Sequence, residues 1–491
     1  MAISDQQYQD WLRGDNGLRV VLVEVEAYSG SAVVTRAMSN VPFVSEPGDT
    51  PANTIYDDIV LSVPQYKSVM GEQITGKTLP SYGEIVLDNS NGVRDGWLAD
   101  AWDGRPVRVY LGAVGWSKAD FRLILSGVVD DIIARSADQL TLRIRDRQHL
   151  LNGPLQTALI GGSSANADKP KPVCYGECYN VEPLLVDAAT RQYQLHDGQI
   201  DAISAVYDNG VSVGYSANLA NGTFTLSSAA TGRITADVRG SKSSGVCINT
   251  VGRIIERLLL ERAGMTAADI DAASVTAFDT ACPQAVGFYA GQRRNLLDAL
   301  DELIRSVGGW YSFGRDGKLR LGRLDAPSGT PVLSLTDDDV AEGKFACKAR
   351  ALPVAVYRLG YKRNWTVLPD GGAASVATAR REELKTEYLT AKAVNSGLSP
   401  MFIKPLEPDQ APSLLVAAAA ASAEATRRAA LHAQLRYRYE LECTTAPQQL
   451  ELGQVIRLTH PRFGFAGGQL AVIVGITERP TDNIITLEIW R

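Results

Sequence analysis

Apolar positions recur at every second residue through most of the first 160 residues. Val107, Val109 and Leu111 alternate with Arg108 and Tyr110, and Leu140, Leu142 and Ile144 alternate with Thr141, Arg143 and Arg145. That spacing puts one face of each strand toward a core. The runs VVLVEVEAY, YDDIVLSVPQY, GEIVLDN, RPVRVYLG, FRLILSGVVDDIIAR and QLTLRIRDR follow one another with turn residues between, and the last two are joined by SADQ. A connection of hairpin length favours an antiparallel barrel or sandwich over a parallel sheet.

The polar stretch GGSSANADKPKP, residues 161–172, reads as a linker. Beyond it, residues 161–245 read as an inserted small β domain. Asp208-Asn209-Gly210 marks one hairpin turn. A second is expected around Thr231-Gly232, pairing Phe224 and Leu226 with Ile234, Ala236 and Val238.

From residue 246 the period lengthens. Val251, Ile254, Ile255, Leu258 and Leu259 fall on one helical stripe ended by Gly264. Leu296, Leu300, Leu303, Ile304 and Val307 form another, begun near Asn295 and ended by Gly308-Gly309. WYSFGRDGKLRLGRL then reads as a hairpin turning at Asp316-Gly317, so residues 246–330 form an α+β domain. Residues 331–491 form a C-terminal β domain. Within it an alanine-rich helix over 413–434 breaks into alternating Leu435, Tyr437, Tyr439 and Leu441. The predicted fold class is α+β, predominantly β, multi-domain, with antiparallel barrel or sandwich domains and two or three packed helices.

Composition narrows the function. The 491 residues, 45% hydrophobic and 21% charged with 44 Gly and 22 Pro, suit a turn-rich globular chain of several domains. Lys plus Arg number 49 against 55 Asp plus Glu, a net charge of −6, without the basic excess that grips phosphates. The N-terminus lacks the apolar core of a signal peptide, and no apolar stretch reaches the span of about 18 residues that a membrane helix needs. No membrane insertion is therefore expected, and the six cysteines are expected as reduced thiols in a cytoplasm.

Several stretches together resemble tail-tip and baseplate-hub (distal tail) structural proteins of long-tailed bacteriophages. They are GRPVRVYLG at 104–112, KPKPVCYGECYNVEPLLVD at 169–187, YQLHDGQIDAISAVYDNG at 193–210, LLDALDELIRSVGGWYSFGRDGKLRLGRL at 296–324 and LELGQVIRLTHPRFG at 450–464. The closing helix and meander, with LELG, a strand, Gly467-Gly468 and a terminal aromatic, fit the same family. The resemblance implies a non-enzymatic virion protein assembled in the host bacterial cytoplasm. It would form a ring or hub joining the tail tube to central-fibre and receptor-binding proteins, with DNA passing through without specific binding. A homo-oligomer, trimeric or hexameric, is the expected state. Exposed strand edges would be covered by identical neighbours around an axis.

Against that stand several signals for chemistry. GEQITGKT at 71–78 matches the phosphate loop, but Pro80 and Gly83 oppose the helix such a loop requires, so a plain loop between strands is expected. Cys174, Cys178, Cys247 and Cys282 could together hold zinc or an iron–sulfur cluster, which some tail-tip proteins carry. The C-x-x-x-C spacing lacks a second close pair, so no metal or cofactor is expected. Cys347 and Cys443 should simply pack. His149, His196, His432 and His460 lie far apart in sequence and are expected to face solvent or cap elements. Neither G-x-S-x-G nor H-E-x-x-H occurs. The carboxylate runs Asp130-Asp131 and Asp337-Asp338-Asp339 read as solvated charge, the second as a turn. Trp310-Tyr311 could stack a sugar, but Leu319 and Leu321 across the hairpin favour the core. The alternatives to a structural role are a tail-associated cell-wall hydrolase, a nucleotide hydrolase using Lys77, or a carbohydrate-binding adhesin using the 170–240 unit.

Overall fold

The computed structural model describes residues 3–14, 18–71, 74–80, 83–398, 401–443, 450–479, 482 and 484–491. The chain is predominantly β, with open sheets and no closed barrel among the described residues. Most of the first 160 residues form a nine-stranded sheet. Its order from edge to edge is Phe43–Val44, Ile55–Asp58, Ala32–Ser39, Arg19–Ser29, Pro106–Ala113, Arg122–Ser136, Gln139–Arg145, Gly83–Asp88 and Val60–Ser62. Antiparallel register places Val23 opposite Val109, and Leu142 opposite Ile85. The alternation works as read: Val107, Val109, Leu111, Leu140, Leu142 and Ile144 are all buried.

A ten-stranded sheet joins distant parts of the sequence. It runs Leu319–Arg323, Gly309–Phe313, Gly76–Pro80, Tyr66–Met70, Gln469–Arg479, Ile484–Trp490, Arg436–Cys443 and Val340–Ala351, with Val455–Leu458 and Leu333–Leu335 branching from Gln469–Arg479. Two strands from the first 80 residues thus sit between the 309–323 hairpin and the C-terminal meander. One apolar core, from Val21 and Leu142 to Ile456 and Leu487, is shared by this sheet and the nine-stranded one.

The 170–247 region holds two sheets facing one core. Val173–Val181 lies between Ile234–Ser243 and Gly287–Ala290, and Ile234–Ser243 also pairs Ile200–Asp208. The smaller sheet orders Leu184–Asp187, Gln192–Gln194, Thr223–Leu226 and Tyr215–Asn218. The turn at Asn209-Gly210 forms as expected. The Thr231-Gly232 hairpin does not. Thr223–Leu226 and Ile234–Ser243 belong to different sheets, and the Asp208 carboxylate accepts from the Thr231 N–H at 2.6 Å and its hydroxyl at 2.9 Å, holding the crossover. Phe224, Leu226, Ile234, Ala236 and Val238 do share one core, but from opposite sides. Alternation fixes which face is buried, not which strand is the neighbour.

Six α-helices occur among the described residues, against two or three expected. Val251–Arg262 and Leu296–Ser306 form where their stripes predict, and the Asn295 side chain caps the second by accepting from the Leu297 N–H at 2.8 Å. The closing helix is shorter than predicted, Ala418–Leu431. Its expected first turn is extended because the backbone there bonds outward: Gly287 N–H donates to Leu414 O, and Lys362 N–H to Leu415 O. The helices not foreseen are Asp5–Arg13, Ala272–Ala281 and Thr378–Lys385. Asp5–Arg13 begins with a Ser4/Gln7 capping box and buries Tyr8 and Leu12. No helix among the described residues is long and apolar enough to cross a membrane.

Candidate functional site

The sequence-derived candidates resolve into packing. Residues 71–78 are not a phosphate loop: Gly76–Pro80 is a strand, parallel to Gly309–Phe313 with Lys77 opposite Tyr311, and no helix follows. This also corrects the expected plain loop, although Glu72 and Gln73 lie outside the described residues. The Lys77 N–H, which would cradle a phosphate, instead donates to the Asp301 carboxylate at 2.7 Å. At Gly76, φ is +85°, and an added Cβ would lie 2.6 Å from Asp301 Oδ1 and 2.5 Å from Arg305 Nε. A carboxylate occupies the place where a phosphate-binding loop needs free donors.

The four candidate cysteines do not converge. Cys174 and Cys178 lie buried in the two-sheet core, with Cys247 near enough for their charges to interact, while Cys282 sits in the separate helical core. Burial pushes the Cys178 thiol well up and Cys282 to about 11, so these sulfurs are protonated thiols near neutrality. No group of three or more His, Cys, Asp or Glu among the described residues is arranged to hold a metal ion. All six cysteines are free; Cys443 is buried as expected, whereas Cys347 is exposed on an edge strand.

The histidines have separate surroundings. His196 is buried rather than solvent-facing, its Nδ1 accepting from the Cys174 N–H at 3.0 Å, and burial pushes its pKa down to about 4. His432 is half-buried and also lowered to about 4, by burial first and by Arg436, Arg428 and Arg427 beside it. His460 Nε2 meets Asp337 at 2.8 Å, and His149 lies beside Arg145. The Asp337–Asp339 run is a single 3-10 turn capped by Thr336, as its spacing suggested. Trp310 and Tyr311 are core residues, at 7% and 1% exposure.

What the sequence reading missed is a polar cleft of about 740 Å³ where Gln139–Arg145 runs into the 3-10 turn Arg147–Leu151, against the start of Leu296–Ser306. Lys77, Asp130, Arg143, Asp146, Gln148 and Asp298 line it. Asp146 caps the turn without a side-chain capping bond, and its Oδ2 has no hydrogen-bond partner within the chain; nor has Gln148 Oε1. Burial raises the Asp146 carboxyl to about 7, and the Gln148 backbone N–H pulls it partway back. The signal was present: 146 continues the inward phase of Leu140, Leu142 and Ile144, so a carboxylate stands where that pattern calls for an apolar residue.

No protein-family model matches the chain, and no curated protein matches its sequence. Solved structures do align with it. A tail protein from Neisseria meningitidis MC58 aligns over 96% of this chain and 97% of its own, at 11% identity and a TM-score of 0.42. The 43 kDa tail protein of prophage MuSo2 from Shewanella oneidensis aligns over 96% and 95%, at 11% identity and 0.37. Prophage tail protein gp18 from Listeria monocytogenes EGD-e aligns over 89% and 90%, at 8% identity and 0.40.

Proposed function

We propose that this chain is a structural subunit of a bacteriophage or prophage tail tip or baseplate. It forms a ring or hub that joins the tail tube to central-fibre and receptor-binding proteins, lets DNA through without holding it, and works without a reaction centre. The sequence segments at 104–112, 169–187, 193–210, 296–324 and 450–464 are the family pointer. The observation that carries the mechanical reading is the edge strand Val340–Ala351. It ends the ten-stranded sheet, pairs among the described residues only with Arg436–Cys443, and is exposed at every position from Glu342 to Ala351 except Phe345. A strand of 12 residues with one open edge is a template for another chain unless something covers it. Lys344 and Lys348 guard it against indiscriminate pairing and leave it to a partner of matched charge, which a neighbouring copy in a closed ring supplies. The net charge of −6 suits a duct that gives phosphates no hold.

Mass photometry of the purified chain tests this. The reading predicts species at three or six times the 52.8 kDa of one chain, alone or with neighbouring tail proteins. A monomer that persists in both conditions contradicts it.

A further inference from the structure

The cleft at Asp146 is not explained by a scaffold role. Asp146 and Gln148 are 8% and 9% exposed, each with a buried side-chain oxygen that finds no donor in the protein, and both face the same open cleft. An unsatisfied buried acceptor costs about 1–3 kcal/mol, so two in one place call for something that donates to them. Around them the cleft mixes donors and acceptors. Lys77, Arg143 and Arg145 supply positive donors, while Asp130, Asp298 and Glu84 supply carboxylates. Part of this charge is already committed: Arg145 pairs with Asp130 at 2.8 Å and Arg143 with Glu84 at 3.5 Å.

The mixture decides the ligand class. A phosphate or other anion only accepts, and would meet four carboxyl side chains without satisfying Asp146 or Gln148. A metal cation is excluded by arrangement, since no set of three ligating side chains among the described residues can surround one. A hydroxyl both donates and accepts, and neighbouring hydroxyls on a sugar ring do so side by side. We propose that this cleft binds a bacterial-surface carbohydrate, with Asp146 and Gln148 accepting from adjacent hydroxyls and Arg143 at the rim donating to a third.

Asp146 is suited to this. Raised to about 7, its carboxyl is largely protonated in mildly acidic medium, so one oxygen can donate while the other accepts. Affinity at one cleft would be modest, and copies around a ring would multiply it. The site itself does not depend on the tail-tip reading, because the cleft is complete within one chain.

The test is a bacterial-surface glycan array probed with the full chain, followed by calorimetric titration of the glycan retained best. Gln148→Leu and Asp146→Leu should each weaken binding about tenfold or more, while Asp146→Asn, which keeps one donor and one acceptor, stays within about threefold of the parent. Should Asp146→Leu fail to fold, Gln148→Leu and the rim variant Arg143→Ala carry the test. No glycan retained, or affinities unchanged in Gln148→Leu and Arg143→Ala, overturns the proposal. The mass of the assembled species is read in the same samples, so loss of sugar binding is separable from loss of assembly.

Discussion

Glu478 and Arg315 form a buried ion pair whose loss should loosen the join between the 309–323 hairpin and the C-terminal meander. Glu478 is fully buried and Arg315 is 6% exposed; both guanidinium Nη atoms donate to the two carboxylate oxygens. The same guanidinium donates to Leu450 O at 3.0 Å and lies 4.4 Å from the centre of the Tyr66 ring. One side chain therefore ties three separate stretches of sequence. Glu478→Ala leaves a buried guanidinium without its carboxylate, which costs about 3–5 kcal/mol. Glu451 stands 4.0 Å from Arg315 Nε but is already bound to Arg320 at 2.7 Å, so it can replace Glu478 only in part. We therefore expect about 3 kcal/mol, which for a unit of this size lowers Tm by about 6–12 °C. The joint variant Arg315→Met with Glu478→Leu removes both charges and fills the space with carbon. It should recover to within about 1 kcal/mol of the parent, because such replacements are often neutral or stabilising. Calorimetric melts of the parent, the single and the joint variant measure this. A single variant costing less than about 1 kcal/mol, or a joint variant losing as much as the single one, would refute the reasoning.

Three further outcomes follow from the packing and the titration. Asp146 has a folded pKa of about 7 against about 3.9 unfolded, so the folded state holds its proton more tightly. Its contribution is full below about pH 4 and is lost as pH rises through 7, amounting to at most about 4 kcal/mol; Asp146→Asn should flatten this slope and melt higher than the parent at pH 8, and parallel melting profiles would refute it. Gly322→Ala would place a Cβ 2.3 Å from the Trp310 ring, so unfolding titrations should show a loss of about 1–3 kcal/mol, and an unchanged midpoint would refute this packing. Lys77→Ala should leave stability and assembly intact, since the main-chain N–H and not the ammonium meets Asp301; measurable nucleotide binding that this variant abolishes would contradict the strand assignment.

The parts legible in the sequence are those set by local pattern. Leu140, Leu142 and Ile144 declare their buried face, and Asn295 with Gly308-Gly309 brackets a helix, because period and capping act over a few residues. What long-range pairing decides was not legible. Nothing near Gly76 announces that its strand lies between Tyr66–Met70 and Gly309–Phe313, and nothing near Thr231 tells that Phe224 and Ile234 lie in opposite sheets. The polar groups at inward positions are an intermediate case. Glu478 follows Val474 and Ile476 in buried phase as Asp146 follows Ile144, so a phase-by-phase reading flags both. Their partners, Arg315 in one instance and an open cleft in the other, are 163 residues away or made by three elements, and sequence spacing carries neither.

Electron microscopy of particles from a lysogen lacking this gene, beside the complemented strain, tests the structural role most directly. The account predicts tails without a formed tip and particles that no longer infect, both restored by the full chain. Complete, infectious particles that contain none of this polypeptide would contradict it.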